Sequence, residues 1–406
     1  MSGVLAGLRV IEGSAFVAAP FAGMTLAQLG ADVIRFDRLR GGLDYHRWPV
    51  TERGDSLFWA GLNKGKRSLA VDMTTPQGQE IITSLICAPG PGNGIFLTNL
   101  RVRGWMDYDH LKSKREDVIL VTVLGTREGG PAVDYTVNPA LGFPYATGPE
   151  GSDEPVCHTL PAWDCITGQS AALGLLAAER HRRLTGVGQE VDIALKDVGL
   201  AMLGNLGIVG EVLVNHENRP KYGNSLYGAF GENFRTADGR RVMVVGLTRR
   251  QWDLLCRCTG LRDEMDALAR RLGLDFEAEG DRFEARAQIA AVFEPWFAER
   301  AVDDFAALFD EAGVTWSVFQ TFDEVVRTDP DCSPDGALFS MVEQPGVGTF
   351  PVPGSPLEFS ALARTEPTRA AVLGEHTDEI LSTLLGLSSR EITDLRDTGI
   401  VGGPRP

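Results

Sequence analysis

The 406-residue sequence has little positive charge. It contains 39 Lys and Arg residues against 55 Asp and Glu residues, which gives a formal net charge of −16. A surface with this excess of negative charge repels the phosphate backbone of nucleic acids and anionic membranes. The composition therefore disfavours nucleic acid and membrane as partners, and it requires that any phosphorylated ligand be bound by cations gathered locally.

Cysteine and histidine are also scarce, with six residues of each. Cys256 and Cys258 lie close together, but no second Cys or His pair follows at the spacing of a zinc site. Six Cys in a chain of this length are too few for a disulfide scaffold. We therefore expect no metal site, and reduced thiols packed as small apolar groups.

Long hydrophobic runs are missing as well. The apolar stretches are short and interrupted by Gly, Pro or charge, so no segment is long enough to span a bilayer. The first residues, MSGVLAGLRVIEG, lack the basic segment and apolar run of a signal peptide, so we expect a cytoplasmic protein. Walker, GxGxxG and GxSxG motifs are also missing, which disfavours a nucleotide-dependent enzyme or a serine hydrolase.

Short apolar segments alternate with amphipathic ones along the first half of the chain. Strand-type runs lie at 8–13, 31–37, 68–73, 94–99, 117–125 and 190–195, with helical patterns between most of them. This alternation predicts a doubly wound α/β domain with a parallel sheet and right-handed crossovers. Further along, FRTADGRRVMVVGL predicts a hairpin with an Asp-Gly turn, and helices follow from about 250 to 300. That segment is typical of a separate, small α+β domain.

Asp164 stands at the start of a long apolar helix, in LPAWDCITGQSAALGLL. Aspartate is a common helix N-cap, because its carboxylate accepts hydrogen bonds from the backbone N–H groups of the first turn. A carboxylate beside a Trp at a helix N-terminus is also partly desolvated, and such a carboxylate can act as a nucleophile. The spacing alone leaves both interpretations open.

Positively charged residues cluster around the ends of the predicted strands. The clusters are Arg35, Arg38, Arg40 and Arg47 at the second strand, Lys64, Lys66 and Arg67 in LNKGKRS, and Arg101 and Arg103 after the fourth strand. Ligands of open α/β sheets bind in the crevice at the carboxyl ends of the strands. The clusters therefore predict a polyanion site in this crevice.

Ordered motifs along the whole chain resemble one family. The segments LxGLRVIEG, AAPFAGMTLAQLGADVIRFD, GLNKGKRSLAVDM, NLRVRGW, GLLAAERHRRLTGVGQEVDIAL and LGEHTDEIL resemble, in this order, the class III CoA-transferase family. The resemblance implies a Rossmann-like large domain built from both chain ends and an inserted small α+β domain. It also implies an interlocked homodimer, a CoA thioester as substrate, and no cofactor beyond the CoA moiety of that substrate. The domain ranges that we predict are 1–200 with 330–406 for the large domain, 225–320 for the small domain, and 201–224 and 321–329 for the linkers.

The resemblance also implies roles for individual residues. Asp164 matches the nucleophilic aspartate of the family, which favours catalysis over capping. The residues that match its CoA-binding positions, or that are expected to assist at the phosphates, are Phe16, Val17, Ala18, Arg35, Arg38, Val71, Asn99, Leu100 and Arg103. A second carboxylate of the substrate requires a cation, for which Arg47 and His46 are the candidates.

A further set of motifs narrows the expected activity. EGSAFVAAP, GGLDYHRWPVT and VDYTVNPALG resemble those family members that move CoA between the C1 and C4 carboxyls of one mesaconate molecule in the 3-hydroxypropionate cycle of carbon fixation. The racemases of the family use a His where this chain has Val133, so the resemblance favours transfer over racemisation. Two alternatives stay open. One is transfer of CoA between different dicarboxylates, and the other is a silent CoA-binding subunit.

Overall fold

The computed structural model describes residues 3–404. The chain divides into two compact units, and each unit is discontinuous along the sequence. The first unit extends from the N-terminal end to Leu141, includes Thr159–Gly210, and resumes from Arg327 to the C-terminal end. The second unit consists of Gly142–His158 and Glu211–Val326. The domain boundaries that we drew at 200, 225, 320 and 330 stay predictions.

The strands of both units form from apolar, β-branched segments, and turn residues separate these segments from one another. In chain order they are β1 (Arg9–Gly13), β2 (Asp32–Asp37), β3 (Arg67–Val71), β4 (Ile95–Thr98), β5 (Ile119–Leu124), β6 (Glu190–Ala194), β7 (Phe230–Arg235), β8 (Arg241–Gly246), β9 (Thr315–Val318), β10 (Phe339–Gln344), β11 (Gly348–Pro353) and β12 (Val401–Gly402).

The main sheet of the first unit has the strand order β12-β3-β2-β1-β4-β5-β6. The strands β1 to β6 are parallel, and β12 runs antiparallel to β3, with Val401 opposite Val71. The predicted α/β fold with strands from both chain ends is confirmed. The difference from a purely parallel sheet is β12, which is too short to show a strand pattern in the sequence.

The chain changes direction across the main sheet between β1 and β4. From β1 it proceeds outward to β2 and β3, and it then returns to place β4 on the other side of β1. At such a switch point the two connections leave the sheet in opposite directions and open a crevice at the carboxyl ends of the strands. The topology therefore places the switch point beside Gly13 and Thr98, the last residues of β1 and β4.

The helices lie between these strands. They are α1 (Ala18–Gln28), α2 (Leu57–Leu62), α3 (Pro76–Ile86), α4 (Tyr108–Lys114), α5 (Asp134–Ala140), α6 (Phe143–Ala146), α7 (Ala162–Thr185), α8 (Leu195–Asn205), α9 (Ile208–Val214), α10 (Arg249–Thr259), α11 (Arg262–Leu272), α12 (Glu279–Glu284), α13 (Arg286–Ala298), α14 (Ala306–Ala312), α15 (Phe322–Thr328), α16 (Thr377–Leu385) and α17 (Ser389–Asp397).

One helical segment differs from its predicted form. The sequence predicts a continuous helix from Lys196 to Asn215, whereas the structure has α8 and α9 on either side of a break at Gly207. Gly207 has a φ of +80°, a left-handed conformation that ends a helix and that glycine adopts without strain.

In the described part of the chain, no single helix is long and apolar enough to cross a membrane. Taken together, the bent pair α8 and α9 is long and apolar enough, but by length and composition only.

The two units have separate hydrophobic cores. In the first unit, aliphatic residues of the main sheet pack against α3, α16 and α17, with Phe36 and Phe96 fully buried among them. In the second unit, β7, β8 and β9 form an antiparallel sheet, and β7 and β8 are the predicted hairpin. Its core is aromatic, and the rings of Phe234 and Phe297 stack with centroids 4.6 Å apart.

Candidate active site

The crevice between β1 and β4 is organised by Asn99, which directly follows β4. Its side-chain Oδ1 accepts a hydrogen bond from the Ala15 N–H at 2.8 Å, and its Nδ2 donates to the Ala15 carbonyl at 2.7 Å. One residue earlier, the Thr98 hydroxyl donates to the Gly13 carbonyl and accepts from the Leu100 N–H. The predicted residues Asn99 and Leu100 therefore lie at the switch point, where Asn99 holds the β1–α1 loop.

Phe16, in that loop, has a backbone conformation that side chains rarely adopt. Its φ is +67°, and its N–H donates to Asp44 Oδ2 at 3.1 Å. A non-glycine residue with positive φ is strained and persists only where the surrounding structure fixes it. The ring is 38% exposed, which agrees with a position at the entry to a site. Val17 and Ala18, which follow it, are buried at the start of α1.

Arg35 is inaccessible to a ligand. Its side chain is 1% exposed, and its guanidinium donates to Asp37, Asn63, Asp44 and the Ser14 carbonyl. Burial raises the pKa of Asp37 to about 6. The expectation that Arg35 assists at the CoA phosphates is therefore wrong, because Arg35 lies inside the protein and its donors are already used. It supports the site indirectly, since its partner Asp44 holds Phe16.

A second cation lies beside Arg35. Lys66 Nζ donates to Glu12 Oε1 at 2.8 Å, to the Pro20 carbonyl at 2.8 Å and to Asn63 Oδ1 at 3.0 Å. Burial lowers the pKa of Lys66 to about 8. Among the described residues, the other oxygen of Glu12, Oε2, has no hydrogen-bond partner. We refer to these five side chains as the buried ion cluster, and its members are Glu12, Arg35, Asp37, Asp44 and Lys66.

Asp164 is the third residue of α7 and does not act as its N-cap. That position belongs to Pro161, which has no side-chain acceptor. The acceptor comes from α5 instead, where Asp134 Oδ2 receives the N–H groups of Trp163 at 2.7 Å and Asp164 at 3.2 Å. No motif in the sequence indicated this role of Asp134. Because Asp134 accepts these N–H groups, the Asp164 carboxylate is not needed as a cap and is available for another role.

The electrostatic environment of Asp164 makes its carboxylate more basic than usual. Burial is the largest cause, and the negative charge of Asp134 adds to it, while the positive charge of Arg47 opposes both. Together these effects raise the pKa of Asp164 to about 6. Perturbed titrations of this kind are common at catalytic sites. At neutral pH the group is mostly ionised and can attack an electrophilic carbon.

The structure separates the two candidates for binding a second carboxylate. The Arg47 guanidinium lies 5.4 Å from the ring centroid of Phe16 and 5.2 Å from that of Phe58, and it acts electrostatically on Asp164. The His46 ring instead packs against Tyr45 and lines a cavity of about 210 Å³. Arg47 is therefore the candidate that the fold brings toward Asp164.

The remaining predicted CoA-binding residues fall into two groups. Arg38 and Arg103 follow β2 and β4 and are exposed, so both side chains are available to a polyanion. The Val71 side chain is fully buried in the core. Its burial leaves only the Val71 backbone for a contact with CoA, and the CoA-binding role of Val71 stays a prediction.

A largely apolar cavity of about 790 Å³ lies beside the first turn of α7. Its lining includes Val17 and Phe21 from α1, Phe58 from α2, and Cys165 from α7. Of the predicted site residues, Val17 thus faces this cavity. Within residues 3–404, no group of three or more His, Cys, Asp or Glu side chains is placed to hold a metal ion.

Comparison with known proteins agrees with this architecture. Over 405 residues the chain is 60% identical to the 2-methylfumaryl-CoA isomerase of Chloroflexus aurantiacus, which covers 100% of this chain and 99% of that protein. It is 28% identical to the succinyl-CoA:mesaconate CoA-transferase of Haloarcula hispanica, over 93% of this chain and 96% of that protein.

Solved structures and the family model give the same assignment. A crystal structure of a CAIB/BAIF family protein from Brucella suis superposes with a TM-score of 0.75 at 26% identity, over 95% of this chain and 100% of that one. The model of CoA-transferase family III matches residues 5–377. The chain therefore belongs to CoA-transferase family III.

Proposed function

We propose that this chain is an enzyme that converts 2-methylfumaryl-CoA into 3-methylfumaryl-CoA by moving CoA between the C1 and C4 carboxyls of one mesaconate molecule. The observation that carries the proposal is the 60% identity, over essentially the whole chain, to an isomerase of that name. The geometry supports it, because Asp164 combines a free, basic carboxylate with a neighbouring cation, Arg47.

The first half of the proposed reaction transfers CoA to the enzyme. The Asp164 carboxylate attacks the C1 thioester carbon, the carbon–sulfur bond breaks, and CoA thiolate leaves a mixed anhydride between Asp164 and mesaconate. The thiolate then attacks the aspartyl carbonyl of this anhydride. This step releases mesaconate as a carboxylate and forms an aspartyl-CoA thioester, so acyl activation is conserved.

The second half repeats these steps at the other end of mesaconate. The retained molecule turns, and its C4 carboxylate attacks the aspartyl thioester and expels the thiolate. The thiolate then attacks the C4 acyl carbon of the new anhydride, giving 3-methylfumaryl-CoA and free Asp164. Retention of mesaconate makes the second attack effectively intramolecular, which saves the entropy of a new encounter.

Other residues bind the substrate in this proposal. Arg47 pairs with the carboxylate that is not activated. Arg38 and Arg103, both exposed after the strands β2 and β4 that flank β1, bind the nucleotide phosphates of CoA. Phe16 and Asn99 shape the entry at the switch point between β1 and β4. No cofactor is needed beyond the CoA moiety of the substrate.

We further propose that the enzyme works as a homodimer in the cytoplasm, with neither nucleic acid nor membrane as a partner. The net charge of −16 supports the exclusion of polyanionic partners. Its reaction would belong to the 3-hydroxypropionate cycle.

The decisive experiment supplies 2-methylfumaryl-CoA alone and follows both isomers by chromatography. We expect 3-methylfumaryl-CoA to form without any added acceptor. A parallel reaction contains ¹³C-labelled free mesaconate, and the product should stay largely unlabelled because the bound mesaconate does not leave. Asp164→Ala and Asp164→Asn serve as controls and should lose the activity.

Two results would overturn the proposal. Extensive label in the product would indicate ordinary transfer between separate dicarboxylates, which is the activity named for the Haloarcula hispanica relative. Full activity of Asp164→Asn would remove Asp164 as the nucleophile.

A further inference from the structure

We propose that Asp134 is a positioning residue, which fixes the first turn of α7 and, through its negative charge, sets the strength of Asp164 as a nucleophile. This inference rests on the proposed function, in which the Asp164 carboxylate attacks the thioester.

The first support is the hydrogen bonding of Asp134. Its side chain is 1% exposed, and Oδ2 accepts the N–H groups of both Trp163 and Asp164. The first turn of a helix leaves N–H groups without intrahelical partners, which an N-cap side chain normally satisfies. Since the N-cap Pro161 offers no such group, a carboxylate from another helix replaces it. Movement of Asp134 would therefore move the backbone that carries Asp164.

A second contact between the same two helices comes from Asn138. It lies one turn after Asp134 on α5, is also buried, and its Oδ1 accepts the indole N–H of Trp163 at 3.1 Å. The residue before Asp164 is thus held at its backbone by Asp134 and at its ring by Asn138. Two fixed points leave the first turn of α7 little freedom to rotate, and such preorganisation lowers the barrier of a nucleophilic attack.

The third support is electrostatic. The charged or titratable groups that act on Asp164 are Asp134 from α5, Arg47 from the β2–α2 loop, and the adjacent Cys165 on α7. A helix N-terminus stabilises a carboxylate and so makes it less basic. The Asp134 carboxylate counteracts this effect at the start of α7, and it raises the pKa of Asp164. A more basic carboxylate is a stronger nucleophile once it is ionised.

Three variants separate positioning from charge. Asp134→Asn preserves the shape and one acceptor oxygen but removes the charge. Asn138→Ala removes the indole contact and leaves the charge. Asp107→Asn is the matched control, because Asp107 caps α4 through the His110 N–H at 2.8 Å and belongs to a different helix.

Two measurements are made on each protein as the full chain. The first is the pH profile of kcat for isomerisation of 2-methylfumaryl-CoA. The second is the ¹³C NMR titration of carboxyl-labelled aspartate, in which Asp164→Asn identifies the Asp164 signal. The titration needs no substrate, so it tests the electrostatic part of the inference even if the proposed function fails.

We expect Asp134→Asn to lower kcat, because a less basic carboxylate is a weaker nucleophile, and to move the Asp164 titration midpoint to lower pH. Asn138→Ala should lower kcat with an unchanged midpoint, and Asp107→Asn should change neither. A wild-type midpoint in Asp134→Asn, or an equal displacement in Asp107→Asn, would overturn the inference. If Asp134→Asn does not fold, the kcat and the titration midpoint of Asn138→Ala decide whether the inference holds. A lowered kcat with an unchanged midpoint supports the inference, and an unchanged kcat contradicts it.

Discussion

At the scale of single residues, the exposed side chain of Arg47 has specific neighbours. It lies in the β2–α2 loop, yet its guanidinium approaches the rings of Phe16 and Phe58, and its charge reaches Asp164. Arginine over aromatic faces keeps its hydrogen-bond donors at the edge of the guanidinium plane. Those donors are then available for a carboxylate of the substrate.

Arg47→Met should therefore weaken substrate binding and change the pH dependence. We expect the KM for 2-methylfumaryl-CoA to rise at least about tenfold, as for the loss of a hydrogen bond to a charged group. The cation favours the ionised form of Asp164, so its removal leaves Asp164 protonated up to a higher pH. The acid limb of the pH–rate profile should accordingly move to higher pH.

Steady-state kinetics between pH 5 and 8 would measure both effects. Arg53→Met is the control, because Arg53 is an exposed cation of the same loop. If Arg47→Met and Arg53→Met behave alike, Arg47 has no particular role at the site.

At the scale of secondary-structure elements, α1 approaches the buried ion cluster very closely. A Cβ at Gly23 would lie 1.7 Å from Glu12 Oε2. Only glycine leaves room for the carboxylate at this point of the helix. Glycine is required here because β1 and α1 lie so close together. Backbone conformation is not the reason, since Gly23 does not have a positive φ.

Gly23→Ala should consequently destabilise the protein. Overpacking in a well-packed interior costs about 1–3 kcal/mol, and here it also disturbs the hydrogen bonds of Glu12 with Lys66 and Ser14. We expect the urea midpoint, followed by circular dichroism, to fall clearly.

Gly61→Ala provides the matched control. Gly61 lies in α2, and a Cβ there would meet nothing within 4 Å. Alanine at an exposed helical position stabilises by about 0.5–1 kcal/mol relative to glycine. A Gly23→Ala protein as stable as the Gly61→Ala protein would show that the approach of Glu12 to α1 is easily relaxed.

The sequence predicted the elements with strong local signals. The local pattern predicts helices over Pro76–Ile86 and Tyr108–Lys114 and a capping box from Ser388 to Glu391, and the structure has α3, α4 and the start of α17 at these positions. These helices carry their own start signals, such as Thr75 followed by Pro76. Their ends could therefore be located without tertiary information.

Features that depend on distant contacts could not be predicted in this way. Arg35 was expected at a phosphate because it belongs to the cluster of cations at the second strand, and nothing local indicates that Asp37, Asp44 and Asn63 surround it. Asp134 was missed for the same reason, since the N–H groups that donate to it, those of Trp163 and Asp164, lie 29 and 30 residues along the chain. The one local signal was an Asp and an Asn spaced four apart at 134 and 138, on one face of a helix.

At the scale of the whole molecule, the first unit exposes large apolar side chains on its longer helices. Leu173 and Leu184 on α7 are each 71% exposed, and Leu206, at the end of α8, is 62% exposed. Exposed side chains of this size can be buried when a second copy of the chain packs against them. This exposure supports the proposed homodimer.

Sedimentation velocity at micromolar concentration should accordingly give about twice the chain mass of 43.9 kDa. Leu206→Glu should shift the equilibrium toward monomer, because a charge is costly to bury in an apolar interface. Leu308→Glu is the control, since Leu308 is also exposed but lies on α14 in the second unit. A wild-type monomer at this concentration would exclude the homodimer.

The short strand β12 has a consequence for how the protein is made. Its residue Val401 pairs with Val71 of β3, and both side chains belong to the same core. A ribosome releases β3 long before β12, so this edge of the main sheet stays uncovered while the more than 300 residues between them are made. The second unit, which ends at Val326, emerges before β12. Since an unpaired strand edge invites association between nascent chains, β12 protects a sheet whose other strands come from much earlier in the chain.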